Sequence, residues 1–206
     1  MNLLSKTKKK SLKPVNYRQK IMDAAIRVFA RKGYNDTTMI DVARAAKVGI
    51  GTLYNYFKNK DELLISSADK TIETELGKIR KICEKQADPM DRMETYFIQH
   101  AMLLKENPHI ARFLVSQLRQ SEGFFERNPE FNPLRHYVNF VKELFETAKE
   151  SGRIKDVDTK ALAIMVIGSM DMLICQWLIE PESVDSKAYI HNIRTIMAHG
   201  IRPAGL

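Results

Sequence analysis

Apolar positions along this chain recur with a helical period, and strand-like alternation is scarce. Ile21, Ala24, Ala25, Val28 and Phe29 fall at i, i+3, i+4, i+7 and i+8, which predicts a helix over residues 17–32 with one buried stripe. Gly33 ends it. Thr38 and Asp41 stand at capping-box spacing and open a second helix, whose apolar edge is narrow: Ile40, Ala43 and Ala46. A short connection, Lys47-Val48-Gly49-Ile50, leads into the run from Gly51 to Phe57, about two helical turns. Leu53 and Phe57 lie four apart in that run and can anchor it to the first two helices. Asn59 and Glu62 have the spacing of N-cap and N3 in a fourth helix that begins near Lys60.

The same reading predicts helices over residues 60–84, 89–107, 109–120, 133–151, 158–179 and 186–199, punctuated by Pro108, Gly123, Pro129, Pro133, Gly152 and Pro181. The stretch 120–132 is the least regular. Its Phe124, Phe125 and Phe131 sit in polar surroundings, so it reads as a loop, either anchored by its aromatics or placed at a pocket mouth. Residues 161–179 carry one charge, Asp171, and are long enough to raise the question of a membrane span. Ser169, Asp171 and Gln176 would be costly in lipid, so a helix packed between other helices is the better reading, and no membrane partner is expected.

Charge changes the picture. Residues 1–60 hold 14 Lys and Arg against Asp23, Asp36 and Asp41, a net +11, although the whole chain carries only +8. The positive field therefore belongs to the first part, and it suits a polyanion. The arm over residues 1–14, with Lys6, Lys8, Lys9, Lys10 and Lys13, reads as flexible and could follow a DNA backbone. Cys83 and Cys175 are the only cysteines in 206 residues, which gives neither a disulfide framework nor a zinc site and fits a reducing cytoplasm. No phosphate loop, nucleophile elbow, paired acids or clustered His ligands occur, so neither an enzyme nor a cofactor is expected.

Helix, short helix, tight turn and short aromatic helix is the order of a helix-turn-helix unit with a supporting first helix. The residue types suit DNA. Thr52 offers a hydroxyl and a methyl group, Tyr54 and Tyr56 offer phenols on stiff stems, and Asn55 can pair with an adenine edge. Lys60 can reach a phosphate. The segment Gly33-Tyr34-Asn35-Asp36-Thr37-Thr38-Met39 through Ile40-Asp41-Val42-Ala43, and on from Gly51 to Leu64, resembles the TetR family of bacterial transcriptional regulators. The resemblance implies DNA contacts at Thr38, Gly51, Thr52, Tyr54, Asn55, Tyr56 and Lys60. Two departures stand out. Lys47 takes a turn position where the family often has Gly, and Gly49-Ile50 replaces a cap that often has Ser.

The expected architecture is all-α. A basic arm over residues 1–14 precedes a three-helix DNA-binding domain over residues 15–75, with its helix-turn-helix at about residues 38–57. A larger helical domain for effector binding and dimerisation follows over residues 76–206. The last two helices are apolar on more than one face, through Met165, Leu173, Ile174, Trp177, Ile190 and Ile193 among others, which suggests a four-helix homodimer bundle. Met93, Phe97, Met102, Phe113, Gln117, Tyr137, Phe140 and Trp177 are candidate liners of an effector cavity, with Gln99, His100 and Arg135 as further polar candidates. The resemblance implies a repressor that leaves a palindromic double-stranded operator when a small apolar effector binds. A DNA-tethered adaptor, with a protein partner in place of the small ligand, is the other reading.

Overall fold

The computed structural model describes residues 16–117 and 119–200, so the basic arm lies outside the described residues. Helices α1 (Tyr17–Lys32), α2 (Met39–Ala46), α3 (Ile50–Tyr54) and α4 (Lys60–Cys83) come first. They are followed by α5 (Pro89–Glu106), α6 (Pro108–Gln117), α7 (Glu122–Arg127), α8 (Arg135–Glu150), α9 (Thr159–Ile179) and α10 (Ser186–Gly200). No strand occurs among the described residues, and the fold is all-α.

Local chemistry fixes the early boundaries. The Asn16 side chain accepts from the Gln19 N–H at 3.1 Å and starts α1; Gly33, at φ 77°, ends it. Thr38 Oγ1 accepts from the Asp41 N–H at 3.1 Å, and the Asp41 carboxylate accepts from the Thr38 N–H at 3.0 Å, which completes the capping box. These hydrogen bonds, together with Lys32, hold the Asp41 carboxyl down at about 2. Lys47 then adopts φ 51°, the left-handed turn conformation that Gly takes at no steric cost. Helix α3 has only five residues, fewer than the two turns expected from the sequence, and cannot persist alone. Fully buried Leu53 and nearly buried Phe57 pin it onto α1 and α2. The Arg18 guanidinium also lies over the Phe57 ring, 5.2 Å from its centroid.

Two apolar clusters form. The first joins Ile21, Val28, Phe29, Val42, Leu53 and Leu64. Phe113, Phe124 and Phe131 from the second half of the chain belong to it too. The second joins α4, α5, α8 and α9 around Ile72, Tyr96, Phe140, Phe145 and Ile167. Burying each such Leu, Ile or Phe contributes about 1.5–3 kcal/mol before chain ordering is charged against it. Leu114 packs against both clusters, so α6 bridges them.

Three expectations need correction. Ile40 is 59% exposed; the inward face of α2 is formed by Met39, Val42, Ala43 and Ala46. Residues 120–132 are helical in part, because α7 forms there; the anchoring by aromatics holds, with Phe124 fully buried edge-on to Tyr34, 5.3 Å between centroids, and residues 127–132 border a crevice. Helix α9 is long and apolar enough to cross a membrane, and only one of its faces is covered. Ala163, Val166, Ile167 and Met170 pack inward, while Ile164, Met165, Met172 and Ile179 are exposed.

Candidate nucleic-acid interface and effector cavity

The reading surface is built by what holds α3 down. With Leu53 and Phe57 turned inward, Gly51, Tyr54, Asn55 and Tyr56 are left exposed and Thr52 half-exposed on the other side. Tyr54 is 50% exposed. No heavy atom lies within 4 Å of where a Cβ would stand on Gly51, so the protein itself does not require glycine there. Exposed Thr38 lies at the start of α2, and exposed Arg44, Lys47 and Lys58 add positive charge around the unit. Each predicted reader except Lys60 thus presents exposed surface to a duplex, Gly51 through its backbone.

Lys60 is differently engaged. Its ammonium donates to the carbonyls of Tyr34 at 2.7 Å, Thr37 at 2.9 Å and Asn35 at 3.2 Å. It also lies 4.3 Å from the Tyr34 ring centroid. Burial lowers its pKa, against Asp61 and Asp36, which raise it. All three donors serve the turn between α1 and α2, so Lys60 acts as an internal clamp on the reading unit. The start of α4 is similarly occupied: Asn59 accepts from the Glu62 N–H at 2.8 Å.

The neighbouring residue ties the two halves together. The Asp61 carboxylate accepts from the Tyr34 hydroxyl, from Asn128 Nδ2 at 3.0 Å and from Arg127 Nε at 3.2 Å. Burial pushes this carboxyl up, but the three hydrogen bonds outweigh it and hold the pKa below the usual carboxylate range. The Tyr34 hydroxyl is pushed up to about 12 by burial and by Asp61. Phe113 adds the apolar half of the joint, stacked on Phe29 at 6.3 Å between centroids.

Between α4, α5, α6, α8 and α9 lies a narrow apolar cavity of about 50 Å³. Ile72, Leu114, Leu134, Ile167, Met170 and Ile174 make most of its wall, and Tyr96, His100, Tyr137 and Asp171 supply the polar groups. Of the predicted liners Tyr137 borders it, and so does His100 of the further polar candidates. Met93, Phe97 and Phe140 pack in the surrounding core, and Met102 is 50% exposed. Phe113 belongs to the joint with α1 because its side of α6 faces the reading unit. Gln117 is buried but donates to the Phe113 carbonyl at 2.6 Å and lies outside the cavity lining. Trp177 borders a separate crevice with Leu104 and Val184. Gln99 lines none of these spaces, whereas Arg135 borders a larger crevice of about 400 Å³ with Asp69, Arg127 and His136. That crevice is bigger, but its charged rim suits an apolar molecule poorly. In the sequence Asp171 stands out only as the one charge in an otherwise uncharged run and is not named as a liner. Leu114 and Leu134 gave no signal that separates them from ordinary core.

Comparison with known proteins agrees with this geometry. The model of the family described as bacterial regulatory proteins, tetR family, matches residues 21–66. A second, described as YsiA-like protein, C-terminal region, matches residues 69–200. The chain belongs to the TetR family. It is therefore a transcriptional regulator with a helix-turn-helix DNA-binding unit. Among relatives of this TetR-family chain, the fatty acid metabolism regulator protein of Bacillus subtilis (strain 168) is 26% identical over 183 residues, covering 88% of this chain and 93% of that protein. The structure of fatty acid degradation regulator FadR from Bacillus halodurans superposes with a TM-score of 0.79 at 28% identity, covering 89% of this chain and 99% of that one. FadR from Bacillus subtilis in complex with stearoyl-CoA gives 0.78 at 26% identity, with the same coverage of each chain.

Proposed function

We infer that this TetR-family regulator is a cytoplasmic homodimeric repressor, that it reads a palindromic operator through α3, and that an apolar effector in the α4–α9 cavity releases it. The observation that carries the reading is the division of labour on α3: Leu53 and Phe57 inside, Thr52, Tyr54, Asn55 and Tyr56 outside. The proposed roles follow from chemistry. Tyr54, Thr38 and the exposed cations hold phosphates, Gly51 lets the backbone approach, and Thr52, Asn55 and Tyr56 face base edges. Lys60 supports this surface from within.

Effector coupling runs through α6. Leu114 and Val115 border the cavity, while Phe113 beside them is stacked on α1. The cavity is far below the roughly 300 Å³ of an ordinary ligand pocket, so an effector must part its walls. Displacing α6 then moves the Phe113–Phe29 contact and, through α7, the Asp61 joint. Such an effector binds the displaced arrangement more tightly and shifts the population away from the DNA-reading one. An apolar acyl compound is the favoured class, because the wall is largely aliphatic and the similar Bacillus subtilis FadR was solved with stearoyl-CoA. The exposed apolar stripe of α9, with Ile196 of α10, supports a dimer interface formed by these two helices.

The test is a pair of salt titrations on a duplex selected from random DNA and on a scrambled one. Asn55→Ala is expected to lose about 1–3 kcal/mol on the selected duplex and little on the scrambled one. Equal losses on both would remove Asn55 from base reading.

A further inference from the structure

Among the buried polar groups left without a partner, His100 is the one that borders the apolar cavity. It projects from α5 into the wall of the apolar cavity, between the rings of Tyr96 and Tyr137, with centroids 5.6 and 5.3 Å away. Its Nδ1 is buried and has no hydrogen-bond partner. Burial lowers its pKa to about 4, so the ring is neutral at pH 7 and offers one donor and one acceptor. Leaving such an atom unpaired is costly, and the cost is removed when a partner arrives. The rings of Tyr96 and Tyr137 flank the imidazole in a wall that is otherwise largely aliphatic.

Resting on the effector-site reading above, we propose that the natural effector is an apolar compound carrying a neutral hydroxyl, and that His100 is the residue that selects for it. A hydroxyl both donates and accepts, so it satisfies the imidazole in either tautomer. A charged group is disfavoured in the same place. An anion would meet Asp171 on the same wall, and that carboxylate already faces Arg119 at 3.9 Å, so it offers a cation little. A plain hydrocarbon would fill the space and leave Nδ1 unpaired. The selectivity is of the kind in which a site built around a polar group rejects the isostere that lacks it.

Isosteric probes test this on the full chain. 4-Butylphenol and 4-butyltoluene differ by hydroxyl against methyl, as do 2-naphthol and 2-methylnaphthalene, and dissociation constants come from NMR titration. The wild type is expected to bind each phenol at least ~10-fold more tightly than its methyl counterpart, in line with the penalty for an unpaired buried group. His100→Phe keeps the ring volume and should bring the two within twofold, while His100→Gln should restore part of the preference. Two phenols and two methyl compounds bound alike by wild type would overturn the hydroxyl proposal and leave the cavity reading intact. A preference that survives in His100→Phe would overturn the assignment to His100. Binding of none of the four would overturn the effector-site reading and the proposal with it.

Discussion

Lys60 shows how a residue type can be legible while its partner is not. A lysine in the first turn of a helix beside a reading unit suits a phosphate, and the sequence offers nothing against it. Folding brings the carbonyls of Tyr34, Asn35 and Thr37 within reach instead, 23 to 26 residues away in sequence. Lys60→Met is expected to leave three carbonyls without their donor and to lower stability by about 2 kcal/mol, read by chemical denaturation. Its log–log salt slope for DNA binding should stay unchanged, whereas loss of a true phosphate contact would reduce it by about 0.9. His100 carries a pH signature of its own. Its folded pKa of about 4 lies below the ordinary 6.5, so the unfolded chain binds the extra proton between those values. Stability is therefore full above pH 6.5 and falls as pH drops toward 4, by at most roughly 3 kcal/mol from this group. In His100→Phe the decline between those pH values should be shallower than in wild type. An equal decline would mean that His100 is not buried neutral.

At the scale of elements, periodicity found α1, α4, α5, α6, α8, α9 and α10, because each is long enough to show one strongly apolar side or is apolar overall. It did worse on α2 and α3. Within eight residues, two alternative stripes differ by one position, and Ile40 was assigned inward although Met39 and Val42 occupy that side. The capping box at Thr38 and Asp41 was legible because its chemistry is local, whereas the turn position of Lys47 came only through the family resemblance. Helix α7 was not, since Phe124 is buried by the ring of Tyr34, 90 residues away in sequence, and Phe131 packs in turn on Phe124. The cavity lining failed for the same reason: liners and core residues share one composition. Gly51 lets stability and DNA reading be separated within one element. A Cβ there meets nothing in the protein, and Ala is the better helix former by about 1 kcal/mol. Gly51→Ala should therefore hold or raise the melting temperature while weakening operator binding at least tenfold. If affinity is unaffected, the backbone of α3 does not approach the duplex closely.

For the molecule as a whole, the unanswered demand of the fold is the bare side of α9. Ala161, Met165, Gly168, Met172 and Ile179 follow one another at three-, four- and seven-residue steps along an exposed stripe, with Met165 at 70% and Met172 at 65% exposure. On α10, Ile196 is exposed as well. A contiguous apolar surface of this kind is unusual on a monomer and marks an interface. The small residues Ala161 and Gly168 would let a second helix approach closely, and a two-fold partner presents the same stripe in return. The reading unit supplies an independent reason for pairing, because a five-residue helix buries too little surface to bind a site tightly alone. Met172→Glu puts a charge in the centre of the stripe without touching either apolar cluster. In light scattering it should convert a dimer into a monomer with an unchanged helical circular dichroism spectrum. Binding to a palindromic duplex should fall by two orders of magnitude or more, since the second half-site contact is no longer intramolecular. Binding to an isolated half-site should stay as in wild type. A variant that remains dimeric would place the interface elsewhere. A wild type that is monomeric at micromolar concentration would leave the operator to be read by one α3 at a time, and the bare stripe of α9 would then need another cover.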